Sequence, residues 1–274
     1  MDKRVMLSYN AMDGAACLLA EEIGELLLQR GIACAEYSEK GGAEQFCGCI
    51  CMITVGGDGT ILHWGKLAAR HKLPLLGVNR GRLGFMATLE PSDIARIPDI
   101  ITGDFATSRR MIMNVLLQRK DGSVQSWLAL NDVVAERDRS SKLPEFHVFC
   151  GESEVSRLQA DGIIFSTPTG STAYALSAGG SIIAPDMECI EFTPLCPHTL
   201  FSRPMIFSAE REISLRFDAY HNAMVTVSVD AERGIKFSEG DVLRLSRSEL
   251  CLEIIEAGAG FFGAVRDKLM TPMK

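Results

Sequence analysis

The chain has 274 residues, 47% hydrophobic and 23% charged, which suits one large globular domain or two of ordinary size with a substantial core. A formal net charge of -7 and a pI near 5.3 weigh against nonspecific nucleic-acid binding, which needs clustered Lys and Arg, and favour a small-molecule partner. No apolar run approaches the roughly 18 residues that span a bilayer and no targeting segment opens the sequence, so we expect a cytoplasmic protein without a membrane or nucleic-acid partner.

Arg4 to Tyr9 reads as a strand, and Asp13 can cap a helix with apolar residues at Leu19, Ile23, Leu26 and Leu27, stopped by Gly31. Ile32 to Tyr37 reads as a second strand and Glu39 to Glu44 as a glycine-rich loop. Cys49 to Val55 forms an apolar strand running into Gly56-Gly57-Asp58-Gly59-Thr60, with a helical pattern from Ile61 to Arg70. Pro74 to Val78 makes another buried strand, ending in the turn Asn79-Arg80-Gly81-Arg82-Leu83-Gly84-Phe85. Strands separated by helices imply an open, mostly parallel α/β sheet whose ligands bind beyond the carboxyl ends of its strands, the edge on which both glycine turns fall.

After a short helical patch at Ser92 to Ile101 the rhythm changes. Arg110 to Arg119 and Ser123 to Arg137, joined at Asp121-Gly122, read as a long hairpin. Strands are expected at Glu145 to Cys150, Ile163 to Ser166, Glu212 to Phe217, Met224 to Asp230, Val242 to Ser246 and Cys251 to Ile255, with one helix near Ser171 to Ala178. The division is therefore an α/β domain over residues 1–101 and a β-rich, sandwich-like domain over 102–274, whose C-terminal tail is a candidate to return to the first.

The odd count of nine cysteines, without a secretory signal, points to reduced thiols. Cys47, Cys49 and Cys51 alternate, so a strand would bury all three on one face as inert core. No His-Glu-x-x-His cluster and no Gly-x-Ser-x-Gly elbow occurs, which leaves metalloprotease and serine-hydrolase chemistry unsupported.

Gly56, Gly57, Gly59 and Thr60 precede a helix whose free N-H groups and dipole favour an anion, the arrangement of a phosphate-binding turn. Asp58 would repel phosphate, so it would serve another purpose there, such as a hydroxyl to be deprotonated or a magnesium shell. Ordinary turn chemistry, with Asp58 or Thr60 as a helix N-cap, stays open beside this reading. A second polar and glycine-rich stretch runs from Asp161 to Gly180. Its hydroxyls could read an adenine or a ribose, the alternative being a capped helix with Thr169 or Ser171 as N-cap.

Taken with Asn131-Asp132, Ser166-Thr167-Pro168-Thr169-Gly170-Ser171-Thr172-Ala173-Tyr174, Pro197-His198-Thr199-Leu200, Arg203-Pro204, Phe262 and Arg266-Asp267-Lys268-Leu269, these blocks closely resemble the NAD kinases. Gly-Gly-Asp-Gly-Thr is shared with lipid kinases, whereas Thr-Pro-Thr-Gly-Ser-Thr-Ala-Tyr is specific to NAD kinases. The resemblance implies transfer of the γ-phosphoryl of ATP to the 2′-hydroxyl of the adenosine ribose of NAD, with a divalent cation, Mg2+, whose ligands it leaves unassigned. It further implies Asp58 as the catalytic carboxylate. An NAD pocket would include Asp58, Gly59, Phe85, Asn131, Asp132, Asp161, Thr169, Thr172, Ala173, Tyr174 and Ser177, in a homotetramer.

Two positions depart from the family pattern: Asp132, where Glu is commoner, and Asp230-Ala231, where Asp-Gly is usual. For both acids a solvated or capping carboxylate is the structural alternative. The rival functions are a lipid kinase, for which no basic patch or membrane-binding stripe is present, and a non-catalytic NAD or NADP sensor, against which the intact Asp58 argues.

Overall fold

The structure is a computed structural model that describes residues 4–37, 42–80, 84–199, 201–219, 223–232, 234–258 and 260–270. Gly81, Arg82 and Leu83 of the second glycine turn, Leu200, and part of the loop expected at Glu39 to Glu44 lie outside the described residues. The chain divides into two compact units, Met1–Arg109 with Leu252–Lys274, and Arg110–Cys251. The division falls between Arg109 and Arg110, a few residues beyond the change of sequence rhythm.

In the first unit β1 (Arg4–Tyr9), α1 (Gly14–Gln29), β2 (Ala33–Glu36), β3 (Cys49–Val55), α2 (Asp58–Arg70), β4 (Leu75–Val78) and α3 (Ile97–Thr102) follow in order. β1 lies between β2 and β3, β3 pairs with β4, and every pairing is parallel. Asp13 caps α1 by accepting from Ala16 N at 3.4 Å, and α1 buries Ala16, Ala20, Ile23 and Leu27 against Val5, Leu7, Ile53, Val55 and Leu76. Burial of the Ile and Leu side chains is worth roughly 1.5–3 kcal/mol each, and of the alanines less. The C-terminal segment belongs to this unit: Ile254 pairs with Leu75, and Thr88 Oγ1 donates to Ile255 O at 3.0 Å.

The second unit is a sandwich of two antiparallel sheets. Its strands are β5 (Thr107–Gln118, entering from the first unit), β6 (Val124–Ala129), β7 (Asp132–Arg137), β8 (Glu145–Cys150), β9 (Ser153–Gln159), β10 (Gly162–Ser166), β11 (Cys189–Leu195), β12 (Met205–Ser208), β13 (Ile213–Asp218), β14 (Val225–Val229), β15 (Ile235–Phe237) and β16 (Val242–Ile255, leaving for the first unit). The short helix α4 (Tyr174–Ser177) follows β10, and α5 (Gly260–Val265) lies in the C-terminal segment. One sheet runs β12-β11-β10-β7-β14-β15. Its inner face contributes Val133, Phe165, Phe192, Val227 and Phe237 to a core completed from the other sheet by Val115, Phe146, Val148, Leu215 and Leu243.

The sequence reading did not expect β9, β11, β12 or β15, and three of the differences have identifiable reasons. The second arm of the hairpin is two strands, because the chain leaves β6 at Leu130-Asn131 and β7 joins the other sheet. β11 carries Glu191 and Pro194, which mask a strand pattern, yet both residues are buried. Val242–Ile255 is a single long strand, with buried and less buried residues alternating through its polar middle, where Ser248 is buried. Cys51 is core, its thiol pushed up to about 12 by burial, but Cys47 precedes β3 and is exposed, so the three alternating cysteines do not share a buried face. All nine cysteines are free thiols.

Candidate functional site

In the first unit the strand β3 delivers the chain to the glycine turn, and α2 starts at Asp58 rather than at Ile61. Gly57 is the N-cap residue and makes no side-chain cap bond, so neither Asp58 nor Thr60 is the helix cap. A Cβ on Gly56 would collide with the Thr60 side chain, which is why this position needs glycine. Gly57 and Gly59 are exposed; Thr60 N and Ile61 N donate to Gly57 O at 2.9 and 3.1 Å, and the Asp58 and Gly59 amides have no carbonyl within the helix to bond.

Asp58 turns instead toward the segment that follows β4. Its Oδ2 accepts from Phe85 N at 2.9 Å and its Oδ1 from Met86 N at 3.1 Å. Gly84 makes this approach possible, since any Cβ there would overlap the carboxylate. Two bonds leave about half of a carboxylate's four acceptor positions for a ligand. Phe85 is half-buried, with the Phe261 ring at 6.3 Å and Lys268 Nζ 4.6 Å above its face, a cation–π contact. Asp58, Gly59, Phe85 and the turn Gly56, Gly57, Thr60 are thus one local constellation at the carboxyl ends of β3 and β4.

In the second unit Leu130 and Asn131 connect β6 to β7, and Asp132 is the first residue of β7. Asp230, 7% exposed, accepts from Leu130 N (2.9 Å), Asn131 N (2.8 Å) and Asp132 N (3.2 Å). Asp230 is thus a buried carboxylate that caps the amides of Leu130, Asn131 and Asp132 rather than a solvated acid. Thr167 completes the cradle, donating N-H to Asn131 O (2.8 Å) and its hydroxyl to Leu130 O (2.6 Å), and its Oγ1 accepts from Gly170 N (3.1 Å). A side chain on Gly170 would overlap the Asn131 carbonyl, so glycine is required for the two segments to meet.

Around this cradle two buried polar atoms have no partner, Asn131 Oδ1 and Thr169 Oγ1. Leaving such a group unpaired typically costs about 1–3 kcal/mol, so both are positions where a polar ligand would be rewarded. Asp132 is 7% exposed, and burial, then the charge of Asp230, pushes its carboxyl up to about 7. Asp132, Ser166 and Glu191 lie in register across β7, β10 and β11 on the outer face of the sheet.

Thr169 and Ser171 do not cap α4. Ala173 occupies the cap position without a side-chain bond, while Ser171 Oγ donates to Pro168 O (2.7 Å) and accepts from Ile183 N (3.0 Å). α4 packs Ala175 against Val134 and Ile164 and leaves Tyr174 45% exposed. Burial first, then the charges of Glu136, Cys196 and Asp132, raises the Tyr174 phenol above its ordinary value. Thr172 and Ala173 are half-exposed beside it and Ser177 is exposed. Asp161 is not brought to the cradle: it precedes β10, about 17 Å along the strand from Ser166, and its Oδ1 accepts from Arg137 Nε at 2.7 Å.

Sequence reasoning gave no role to Gly84, Thr167 or Glu191. Glu191 is fully buried and accepts from Ser181 N (2.6 Å) and Ser166 Oγ (3.2 Å), tying down the segment after α4. Its only signal in the sequence is a lone acid inside an apolar run.

Residues 37–105 match the ATP-NAD kinase N-terminal domain family and residues 130–257 the ATP-NAD kinase C-terminal domain family. The NAD kinase of Gemmatimonas aurantiaca is 39% identical over 221 residues, 80% of this chain and 76% of that protein. The NAD kinase of Chromohalobacter salexigens is 35% identical over 254 residues, 92% of this chain and 85% of that protein. Among solved structures, an Archaeoglobus fulgidus NAD kinase in complex with ATP superposes with a TM-score of 0.75 at 26% identity, over 96% of this chain and 98% of that one. Yeast NADH kinase complexed with NADH has the same fold, with a TM-score of 0.84 at 22% identity over 100% of this chain and 90% of that one.

Proposed function

This chain belongs to the NAD kinase family and transfers the γ-phosphoryl of ATP to the 2′-hydroxyl of the adenosine ribose of NAD, and on that premise we propose how its residues divide the work. Asp58 accepts or orients the proton of the 2′-hydroxyl, a contribution typically worth about a hundred- to ten-thousand-fold in rate. The observation that carries this is the double amide anchor on Asp58: it aims the carboxylate while leaving acceptor capacity at the start of α2. Gly57 and Gly59 supply backbone donors and Thr60 its hydroxyl to the phosphates of ATP, while Gly56, whose N-H donates to Val78 O at 2.9 Å, shapes the turn.

A divalent cation, Mg2+, fits this turn through the remaining lone pairs of Asp58, and when bound it offsets phosphate charge. Asn131, Asp132, Thr169, Thr172, Ala173, Tyr174 and Ser177 hold NAD. The unpaired Asn131 Oδ1 and Thr169 Oγ1 support polar contacts, and the exposed Tyr174 ring supports stacking on a base. Phe85 adds an apolar surface, and Asp161 offers NAD the oxygen that Arg137 does not hold. Asp132, with its carboxyl near neutrality, can donate as well as accept.

We assign the enzyme to the cytoplasm; no helix among the described residues is long and apolar enough to cross a membrane. We also assign it a homotetrameric state, which the edge strands β12 and β15 and the exposed Ile206 on β12 support. Light scattering that returned a monomer mass at micromolar protein would contradict that assignment.

The test of the catalytic assignment is Asp58→Asn, assayed for single-turnover NADP formation at saturating NAD and ATP beside a direct NAD titration. Asn keeps one acceptor oxygen for the loop amides but cannot take a proton. Turnover is expected to fall by about two orders of magnitude or more while NAD still binds. Near wild-type turnover would reduce Asp58 to an anchor for the loop.

A further inference from the structure

The sandwich carries a polar constellation that phosphoryl transfer does not use. The antiparallel ladder of β8 and β13 sets Glu145 directly opposite Asp218, with His147 two residues along on the same face. Like charges in direct cross-strand register are destabilising, and β9 brings up a third acid, Glu154. His147 Nδ1 lies 2.7 Å from Glu154 Oε1, while Nε2 lies 3.3 Å from Asp218 Oδ2 and 3.7 Å from Glu145 Oε2.

When the Nδ1 proton is donated to Glu154, Nε2 presents a lone pair toward two anionic oxygens. Nε2 and Asp218 Oδ2 then face each other at 3.3 Å without a proton between them, which is unfavourable unless a cation joins them. Arg157, opposite His147 on β9, bonds Glu145 Oε2 through Nη2 at 2.7 Å and Nε at 3.0 Å, and Arg216, also opposite His147, lies over the Phe149 ring at 5.4 Å. Arg157 thus offsets Glu145, and the Asp218 and Glu154 carboxylates face the two nitrogens of His147.

We propose that Glu145, His147 and Asp218 form a binding site for a divalent first-row cation, Zn2+ in the first instance, with Glu154 fixing the imidazole from behind. Their three ligand atoms lie within 4.8 Å of one another. Zinc bonds of about 2.0–2.2 Å in tetrahedral array require corners about 3.4 Å apart, which the 3.3 and 3.7 Å separations from Nε2 approach, while the two carboxylate oxygens, within 4.8 Å of each other, close up as far as that array requires. A carboxylate on the second ring nitrogen is the usual support of a metal-bound histidine. Exposures of 15% for His147, 19% for Glu145 and 44% for Asp218 leave an entry path and room for water as a fourth ligand. An imidazole ligand favours zinc over magnesium, so this site is separate in chemistry from the cation that accompanies ATP. The bound ion would staple β8 to β13.

The experiment strips the full-length protein with a chelator and titrates it with Zn2+ by calorimetry, beside His147→Gln and Asp218→Asn. Wild type is expected to take up one equivalent that both variants lack, and to gain roughly 5 °C or more in Tm at zinc a hundredfold above Kd. Both variants should keep Mg2+-dependent kinase activity. Asp218→Asn also removes the like-charge pair, so it is the variant expected to fold at least as well as wild type. Cobalt substitution separates this site from the nine thiols, since a nitrogen and oxygen site gives visible d–d bands without a thiolate charge-transfer band. Equal zinc uptake by wild type and both variants, a thiolate band for the bound equivalent, or no uptake at all would each overturn the proposal.

Discussion

Asp58 lies against Gly84 so closely that a single methyl group on the glycine would occupy the position of the carboxylate. The same approach lets the Phe85 and Met86 amides hold both carboxylate oxygens. Gly84→Ala must therefore push either the carboxylate or the loop aside. Turnover is expected to drop about ten- to a hundredfold, as misplacement by about 1 Å commonly does, with an unchanged circular dichroism spectrum. Steady-state kinetics with NAD and ATP varied separately measure this, and wild-type turnover would show that the loop yields without moving Asp58.

Asp230 satisfies three consecutive amides from a distance of about a hundred residues in sequence. Asp230→Ala leaves Leu130, Asn131 and Asp132 N-H groups without their acceptor, at an expected cost of about 2–4 kcal/mol in urea unfolding. Affinity for NAD should weaken as well, because Asn131 and Asp132 lose their anchor. Asp230→Asn retains an acceptor oxygen and should cost less. A loss below about 0.5 kcal/mol for the alanine variant would mean that water replaces the carboxylate.

Asp230 and Ala231 both sit in the left-handed region, with φ of 50° and 59°. Alanine pays about 1–2 kcal/mol there, and glycine would remove that strain while adding about 0.5–1 kcal/mol of unfolded-state freedom. Ala231→Gly is expected to stabilise the protein by about 0.5–1 kcal/mol, read as a higher denaturant midpoint at unchanged slope. A midpoint at or below wild type would count against a strained turn.

Asp132 makes stability depend on pH with a definite sign. Its native carboxyl is held near 7 against an ordinary 3.8, by burial and by the charge of Asp230, so the folded state keeps a proton that the unfolded chain releases. Its contribution is fully present below about pH 4 and is lost as pH rises through about 7. Asp132→Asn should match wild type near pH 4 and exceed it by up to a few kcal/mol near pH 8. Urea midpoints across that range would decide it, parallel curves for the two proteins being the adverse result.

The sequence by itself determined the strands and helices whose apolar pattern is local. β1, α1 with its Asp13 cap, β3, β4 and β10 appear where residue spacing puts them, and the glycine turn after β3 was recognisable because three glycines around one acid interrupt an apolar run. Resemblance carried over a long span of the chain supplied the reaction. What tertiary structure alone decided is the partner of each polar group. Asp58 bonds amides 27 and 28 residues away, and Asp230 bonds amides 98 to 100 residues away. No local period encodes such distances, because the approach is set by parallel pairing of β3 with β4 in one unit and antiparallel pairing of β7 with β14 in the other. The same holds for β11, where Ser181 N and Ser166 Oγ satisfy the buried carboxylate of Glu191. A buried carboxylate is tolerable only when its hydrogen bonds are made, and those partners come from elements that meet only in the folded chain.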